Sequence, residues 1–165
     1  MPGDHYLVLD RTLKAPRALV WKAWTDPELL KQWFAPKPYR ITELDLDLRP
    51  GGAFRIRMVG PDGFDTGHGE PGCILEVVEG EKLIWTSALG PDYRPANMGE
   101  GCESFPMTAI VTLADAPDGG TLYRAVALHK DAADRDRHAQ MGFEEGWGTC
   151  AAQLDDLAQT LGANA

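Results

Sequence analysis

After His129 the hydrophobic period of the chain changes. Before that point apolar residues alternate, as in "ITELDLDLRPGGAFRIRMV"; after it Phe143, Trp147, Cys150, Leu154, Leu157 and Leu161 recur at spacings of 4, 3, 4, 3 and 4. That is a stripe along one face of a helix. Antiparallel strands with one apolar face, followed by one long amphipathic helix, have few ways to hide their apolar surface. The helix must cover the sheet. Residues 132–161 predict a helix approaching about 45 Å at 1.5 Å per residue. Gly142, Gly146 and Gly148 fall in its first half. Each glycine costs up to about 1 kcal/mol relative to alanine, so the cluster predicts a bend, or a face that approaches another element or a ligand.

The strands read in order. "YLVLDRTLKA" puts Leu7, Leu9 and Leu13 on one face; Arg11 interrupts that face, which predicts a place near the sheet end or a carboxylate partner. Pro16 opens a short helix that carries Val20, Trp21 and Trp24, and a second follows Asp26 as N-cap and Pro27 as first helical residue, stopped by "APKP". In the next hairpin Thr42, Leu44, Leu46 and Leu48 form an apolar row facing the row of Phe54, Ile56 and Met58. A three-residue loop, Pro50 to Gly52, places Asp45 and Asp47 opposite Arg55 and Arg57 on the wet face. "GCILEVVEGEKLIWTSAL" and "MTAIVTLADAPDGGTLYRAVALH" add two further hairpins. Between them Gly90 to Pro106 is a loop of a length kept for lids and mobile segments. The class is therefore α+β: an antiparallel sheet of six or seven strands curved around a long C-terminal helix, with two short helices after the first strand. Residues 1–165 form a single domain.

Charge narrows the partners. Lys plus Arg number 16 against 25 Asp plus Glu, a net charge of −9. Such a surface repels phosphate backbones and anionic lipid, so neither nucleic acid nor membrane insertion is expected. Cys73, Cys102 and Cys150 are odd in number and widely spaced, which fits reduced thiols in a cytoplasm better than a disulfide framework. The N-terminus has no basic segment ahead of an apolar one, as a signal peptide would.

"DRTLKAPRALVWKAWTDPELLKQWFAP", "LRPGGAFRIRM", "GEKLIWT" and "EEGWGTCAAQLDDL", in that order, resemble the START-like (SRPBCC) ligand-binding superfamily. Within it they look like the branch named for activator-of-heat-shock-protein-90-ATPase homologues. The resemblance runs from Tyr6 to Leu161. It implies a helix-grip fold with an internal cavity between sheet and long helix, in which family members bind lipids, polyketides and other apolar molecules. A few catalyse cyclisation or dehydration, and one group assists a chaperone. The shared motifs are structural, so they transfer fold rather than function.

No G-x-S-x-G, H-E-x-x-H or P-loop is present, and no catalytic residue is assigned. His68, Glu70 and Cys73 with Cys102 or Glu103 lack paired ligand spacing, so neither a metal nor a cofactor is expected. Arg11, His68, Glu70, Tyr93, Glu103, Tyr123 and His129 are the polar groups available to a cavity; a His–Glu pair among them would serve as general base and acid. For the cavity wall the candidates are Trp33, Phe34, Phe54, Trp85, Phe143 and Trp147, with His68, while Trp21 and Trp24 read as closed core. The leading function is a carrier or sensor of a small apolar or amphipathic molecule. An enzyme of cyclase or dehydratase type would use the same cavity. A chaperone-associated module would need an exposed apolar patch, and it ranks last because only one domain is visible and the surface is acidic. A homodimer stays open.

Overall fold

The computed structural model describes residues 5–97 and 105–163. Strand β1 (Tyr6–Leu13) is followed by α1 (Arg17–Thr25) and α2 (Pro27–Trp33). Then come β2 (Arg40–Leu46), β3 (Ala53–Val59), β4 (Gly72–Val78) and β5 (Lys82–Thr86). A two-stranded ribbon, β6 (Leu89–Gly90) with β7 (Arg94–Pro95), precedes β8 (Met107–Asp115) and β9 (Thr121–His129). The chain ends with α3 (Ala132–Gln140) and α4 (Phe143–Ala163). Seven strands make one curled antiparallel sheet in the order β1-β9-β8-β5-β4-β3-β2. The apolar face of that sheet and the stripe of α4 share one core, which includes Leu9, Ile74, Leu83, Val111, Leu154 and Ala158. No helix among the described residues is long and apolar enough to cross a membrane.

Local chemistry explains most of the boundaries. Asp26 caps α2 by accepting from the Glu28 amide at 3.0 Å, with Pro27 at the first helical position. Gln153 of α4 ties down the other end of α2. Its Nε2 donates to the carbonyls of Trp33 (3.0 Å) and Ala35 (2.8 Å), and its Oε1 accepts from the Lys37 amide at 3.0 Å. These bonds take up carbonyl groups at a helix end that has no intrahelical donor for them.

Three expectations are corrected. First, the C-terminal helix is not continuous from 132 to 161. Gly142 adopts φ +95° between α3 and α4, a conformation L residues rarely take, and the stripe belongs to the 21-residue α4 alone. Second, β2 leaves the ladder after Leu46, and residues 47–52 form the turn, closed by the Asp47 amide donating to Ala53 O at 2.9 Å. Asp45 does face Arg55 (2.7 Å), but Asp47 turns to Arg49 (2.8 Å) and Arg57 pairs with Asp65 (2.8 Å). Third, the register shifts between Ile41 and Glu43, so buried Ile41 joins the apolar face and Thr42 is exposed.

The sheet is weakest between β3 and β4, which pair only at Ala53–Cys73 and Phe54–Gly72. Beyond Phe54, β3 leaves β4 and continues beside β2, with a bridge from Val59 to Asp65 at its end, and its residues Ile56 and Met58 stay half-buried.

Candidate functional site

The corner of α1 and α2 brings the large rings of the sequence together. Trp24 and Trp33 meet edge to face with centroids 4.8 Å apart, and Phe34 lies 5.3 Å from Trp24 and 5.8 Å from Phe54. Trp85 of β5 closes the group, 5.3 Å from both Trp24 and Phe54. Edge-to-face contacts of this kind are the favoured geometry of aromatic quadrupoles. Two indole N–H groups are satisfied inside the cluster: Trp33 donates to Ala23 O at 2.9 Å, and Trp24 to the Tyr123 hydroxyl at 3.3 Å. The rings are thus fixed by hydrogen bonds as well as by packing.

They do not fill the space before them. Between the concave face of the sheet and α4 lies a cavity of about 590 Å³, within the ~300–1,000 Å³ range of small-molecule sites. Trp24, Trp33, Phe34, Phe54 and Trp85 form one part of its wall, and Phe143, Trp147 and Cys150 of α4 another. Met58, Phe64, Met141 and Gly142 complete it on the side of the α3–α4 corner. Phe64 is 46% exposed and Met141 64%, so this is where the cavity meets solvent.

Three glycines of the C-terminal region have three different reasons. Gly142 makes the break between the helices. Gly148 lets α4 approach β1, since a Cβ there would come within 3.1 Å of the Arg11 guanidinium. Gly146 lines the cavity, and a Cβ there would have no neighbour within 4 Å. A helix-disfavouring residue therefore faces open space.

Besides the Tyr39 phenol and the tryptophan indoles, three residues of the wall carry polar groups. Tyr123 accepts from Trp24, and burial pushes its phenol pKa up. Burial pushes the Cys150 thiol up to about 12, which leaves it protonated and unreactive at neutral pH. The third is His138 of α3, whose Nδ1 lies 2.9 Å from Nε2 of His129 on β9. The other nitrogen of His129, Nδ1, is 3.1 Å from the His5 carbonyl. Burial lowers the pKa of His129, and burial together with His129 lowers that of His138 to about 4. Both rings are neutral at pH 7.

Six of the seven residues singled out for the wall, Trp33, Phe34, Phe54, Trp85, Phe143 and Trp147, line this one cavity. His68 does not. It stands on the wet face with its side chain 75% exposed, Nδ1 3.1 Å from Glu43. The hairpin turns its charged row away from the core, and His68 joins that row. Trp24, read as closed core, is on the wall, whereas Trp21 packs half-buried outside it. Arg11 pairs with Glu144 at 3.1 Å, and Tyr93 and Glu70 are exposed. Cys102 and Glu103 lie outside the described residues. Among the described residues no cluster of three His, Cys, Asp or Glu has the arrangement to hold a metal ion.

Sequence reasoning missed His138 because "DAADRDRHAQ" has no apolar residue larger than alanine, and so no apolar period to mark an inward face. Met141 and Phe64 were missed because both stand in turns. A second hollow, about 410 Å³, lies on the opposite face of the sheet over Asp10, Arg11 and Arg124. Its charges are already engaged, Arg124 with Asp10 at 2.8 Å and Arg11 with Glu144.

The family model described as Activator of Hsp90 ATPase homolog 1-like protein matches residues 14–159. A crystal structure of a protein from Nitrosomonas europaea is 43% identical over 99% of both chains, with a TM-score of 0.89. One from Mycobacterium smegmatis is 27% identical, covering 93% of this chain and 90% of that one, with a TM-score of 0.72. Another from Chromobacterium violaceum is 25% identical, covering 96% and 98%, with a TM-score of 0.67. No curated protein matches the chain.

Proposed function

We propose that the chain, which belongs to the Activator of Hsp90 ATPase homolog 1-like family, carries or senses a small apolar or amphipathic molecule held between its sheet and α4. The family has a ligand-binding fold, and the observation that carries the reading for this chain is the cavity of about 590 Å³ walled by aromatic rings. Closing that volume with side chains would have stabilised the protein, since empty apolar space costs about 24 cal/mol per Å³. The open space beside Gly146 supports the same reading. There even an alanine would favour the helix by about 1 kcal/mol and reduce the void, yet glycine stands in its place.

A carrier or sensor is favoured over an enzyme because the polar groups of the wall do not make an acid–base pair. The Tyr123 phenol and Cys150 thiol are both held protonated by burial, His68 pairs with Glu43 on the outer face, and Glu70 is exposed in a loop. The variant Gly146→Leu tests the reading. It should fold with stability equal to or above that of the parent in urea, while binding of 2-naphthol, followed by calorimetry, weakens at least tenfold. Unchanged binding in a folded Gly146→Leu protein would place the probe elsewhere and reject the cavity as the site.

A further inference from the structure

The His129–His138 pair has a direction. A carbonyl only accepts, so the His129 Nδ1 that faces His5 O at 3.1 Å carries the ring's proton. In neutral His129 the other nitrogen, Nε2, is then bare and accepts. His138 Nδ1, 2.9 Å away, must therefore donate to it. Neutral imidazole has one N–H, so His138 Nε2 is left with a lone pair. That nitrogen has no hydrogen-bond partner among the described residues, and His138 lines the cavity. Around it the wall is aromatic, with Phe143 and Trp147 at 5.2 and 5.9 Å from the His138 ring, and Phe105 packs on the ring at 5.2 Å.

We infer that His138 Nε2 is the polar anchor of the cavity: a fixed acceptor for a hydroxyl, phenol or N–H group on an otherwise apolar ligand, with its tautomer set by His129 and the His5 carbonyl. The inference rests on the proposal that the cavity holds an apolar molecule and adds the chemical class of that molecule. It is a hydrogen-bond donor rather than a carboxylate or a bare hydrocarbon. A carboxylate would present only lone pairs to the Nε2 lone pair and would lose its own hydration on entering. A hydrocarbon would leave Nε2 without a partner, and a site built to hydrogen-bond a substrate group discriminates against the analogue that lacks it. The charged groups near the pair, Asp131, Asp134 and Arg135 of the α3 end, act on His129. They leave His138 Nδ1 committed to its neighbour.

The test compares 2-naphthol with 2-methylnaphthalene, which exchanges the hydroxyl for a methyl group of similar size. Both dissociation constants are measured on the intact protein and on His138→Phe. The ratio of the two constants should shift by about tenfold against naphthol in the variant, the worth of one buried hydrogen bond, with methylnaphthalene binding little changed. On the unsubstituted protein the ¹⁵N resonance of His138 Nε2 should move on addition of naphthol and stay in place with methylnaphthalene, a readout that does not depend on the variant folding. If both probes bind but the ratio and the Nε2 resonance are indifferent to the hydroxyl, the anchor is wrong and the cavity reading stands. If neither probe binds, both are wrong.

Discussion

At the end of the cavity under α1 and α2, Trp33 is 2% exposed, its indole N–H is bonded, and its backbone carbonyl is held by Gln153. At the α3–α4 corner Met141 is 64% exposed, Phe64 stands in a turn, and the chain reverses through a glycine at φ +95°. The same volume is thus enclosed on one side by interlocked rings and on the other by turns. On the inner side the rings touch one another at 4.8–6.3 Å, and Trp24, Trp33, Phe54 and Trp85 are buried as well. The outer side has ring contacts too, Phe143 with Trp147 at 4.6 Å and Phe64 with Tyr39 at 5.1 Å, but its rim residues Phe64 and Met141 stand largely in solvent, and local opening draws on exposed segments. A cavity needs both: a rigid wall to define a shape and a loose rim to admit what fits it.

The largest expected effect tests whether the two sides really differ. Trp33→Ala removes a fully buried ring and should cost ~3–5 kcal/mol in urea denaturation. Trp147→Ala, on the half-buried part of the wall, should cost clearly less while weakening naphthol binding. Equal losses from both variants would break the distinction between the buried and the half-buried side of the wall.

Next comes the rim itself. Gly142→Ala forces an L residue into φ +95° and should cost ~1–2 kcal/mol, less than the ring deletion. It should also change the rate of probe entry, measured by stopped flow, more than the equilibrium stability would imply. A neutral Gly142→Ala would mean that α3 and α4 can join without strain.

A smaller effect follows from protons. His138 has an ordinary pKa of 6.5 and is lowered to about 4 in the fold by burial and by His129. Between those values the unfolded chain binds more protons than the folded one, so stability rises with pH there. The contribution is fully present above pH 6.5 and is lost as pH falls toward 4. His129 shifts in the same direction. Asp65, lowered from 3.8 to about 2 chiefly by Arg57, acts only below that window. Denaturation midpoints should therefore fall between pH 7 and 4.5 in the parent protein and fall less in His138→Phe. An identical slope in the two would show that the pair does not gate stability.

How much of this was legible in the sequence depends on which force decides each feature. Alternation fixed the strands, and Asp26 with Pro27 marked the start of α2, because both signals are local. Asp45 opposite Arg55 was legible for the same reason. The bulge at Thr42 and the departure of Asp47 from the ladder were not, since a register shift is chosen by the partner strand and not by the strand's own pattern. Gly142 was visible as a weak point, but its role as a full break depends on its handedness, which no spacing encodes. The rings divide likewise. Six wall residues could be picked out as large rings on the elements that face the cavity, yet Trp24 and Trp21 share one short helix and differ only in which way the corner turns them. His68 looked available for the cavity and was claimed by Glu43, whereas His138 had no periodic signal to announce it.

The chain contains five tryptophans, and their placement supplies the most direct test. Trp24, Trp33, Trp85 and Trp147 line the cavity, while Trp21 does not. With 5-fluorotryptophan incorporated throughout, ¹⁹F spectra would report all of them during one titration with 2-naphthol. Resonances of the four wall residues should move together and saturate with a single dissociation constant, while that of Trp21 stays in place as an internal control. Saturable shifts confined to Trp21, or no saturable shift in any of the four, would contradict the claim that this space is a binding site.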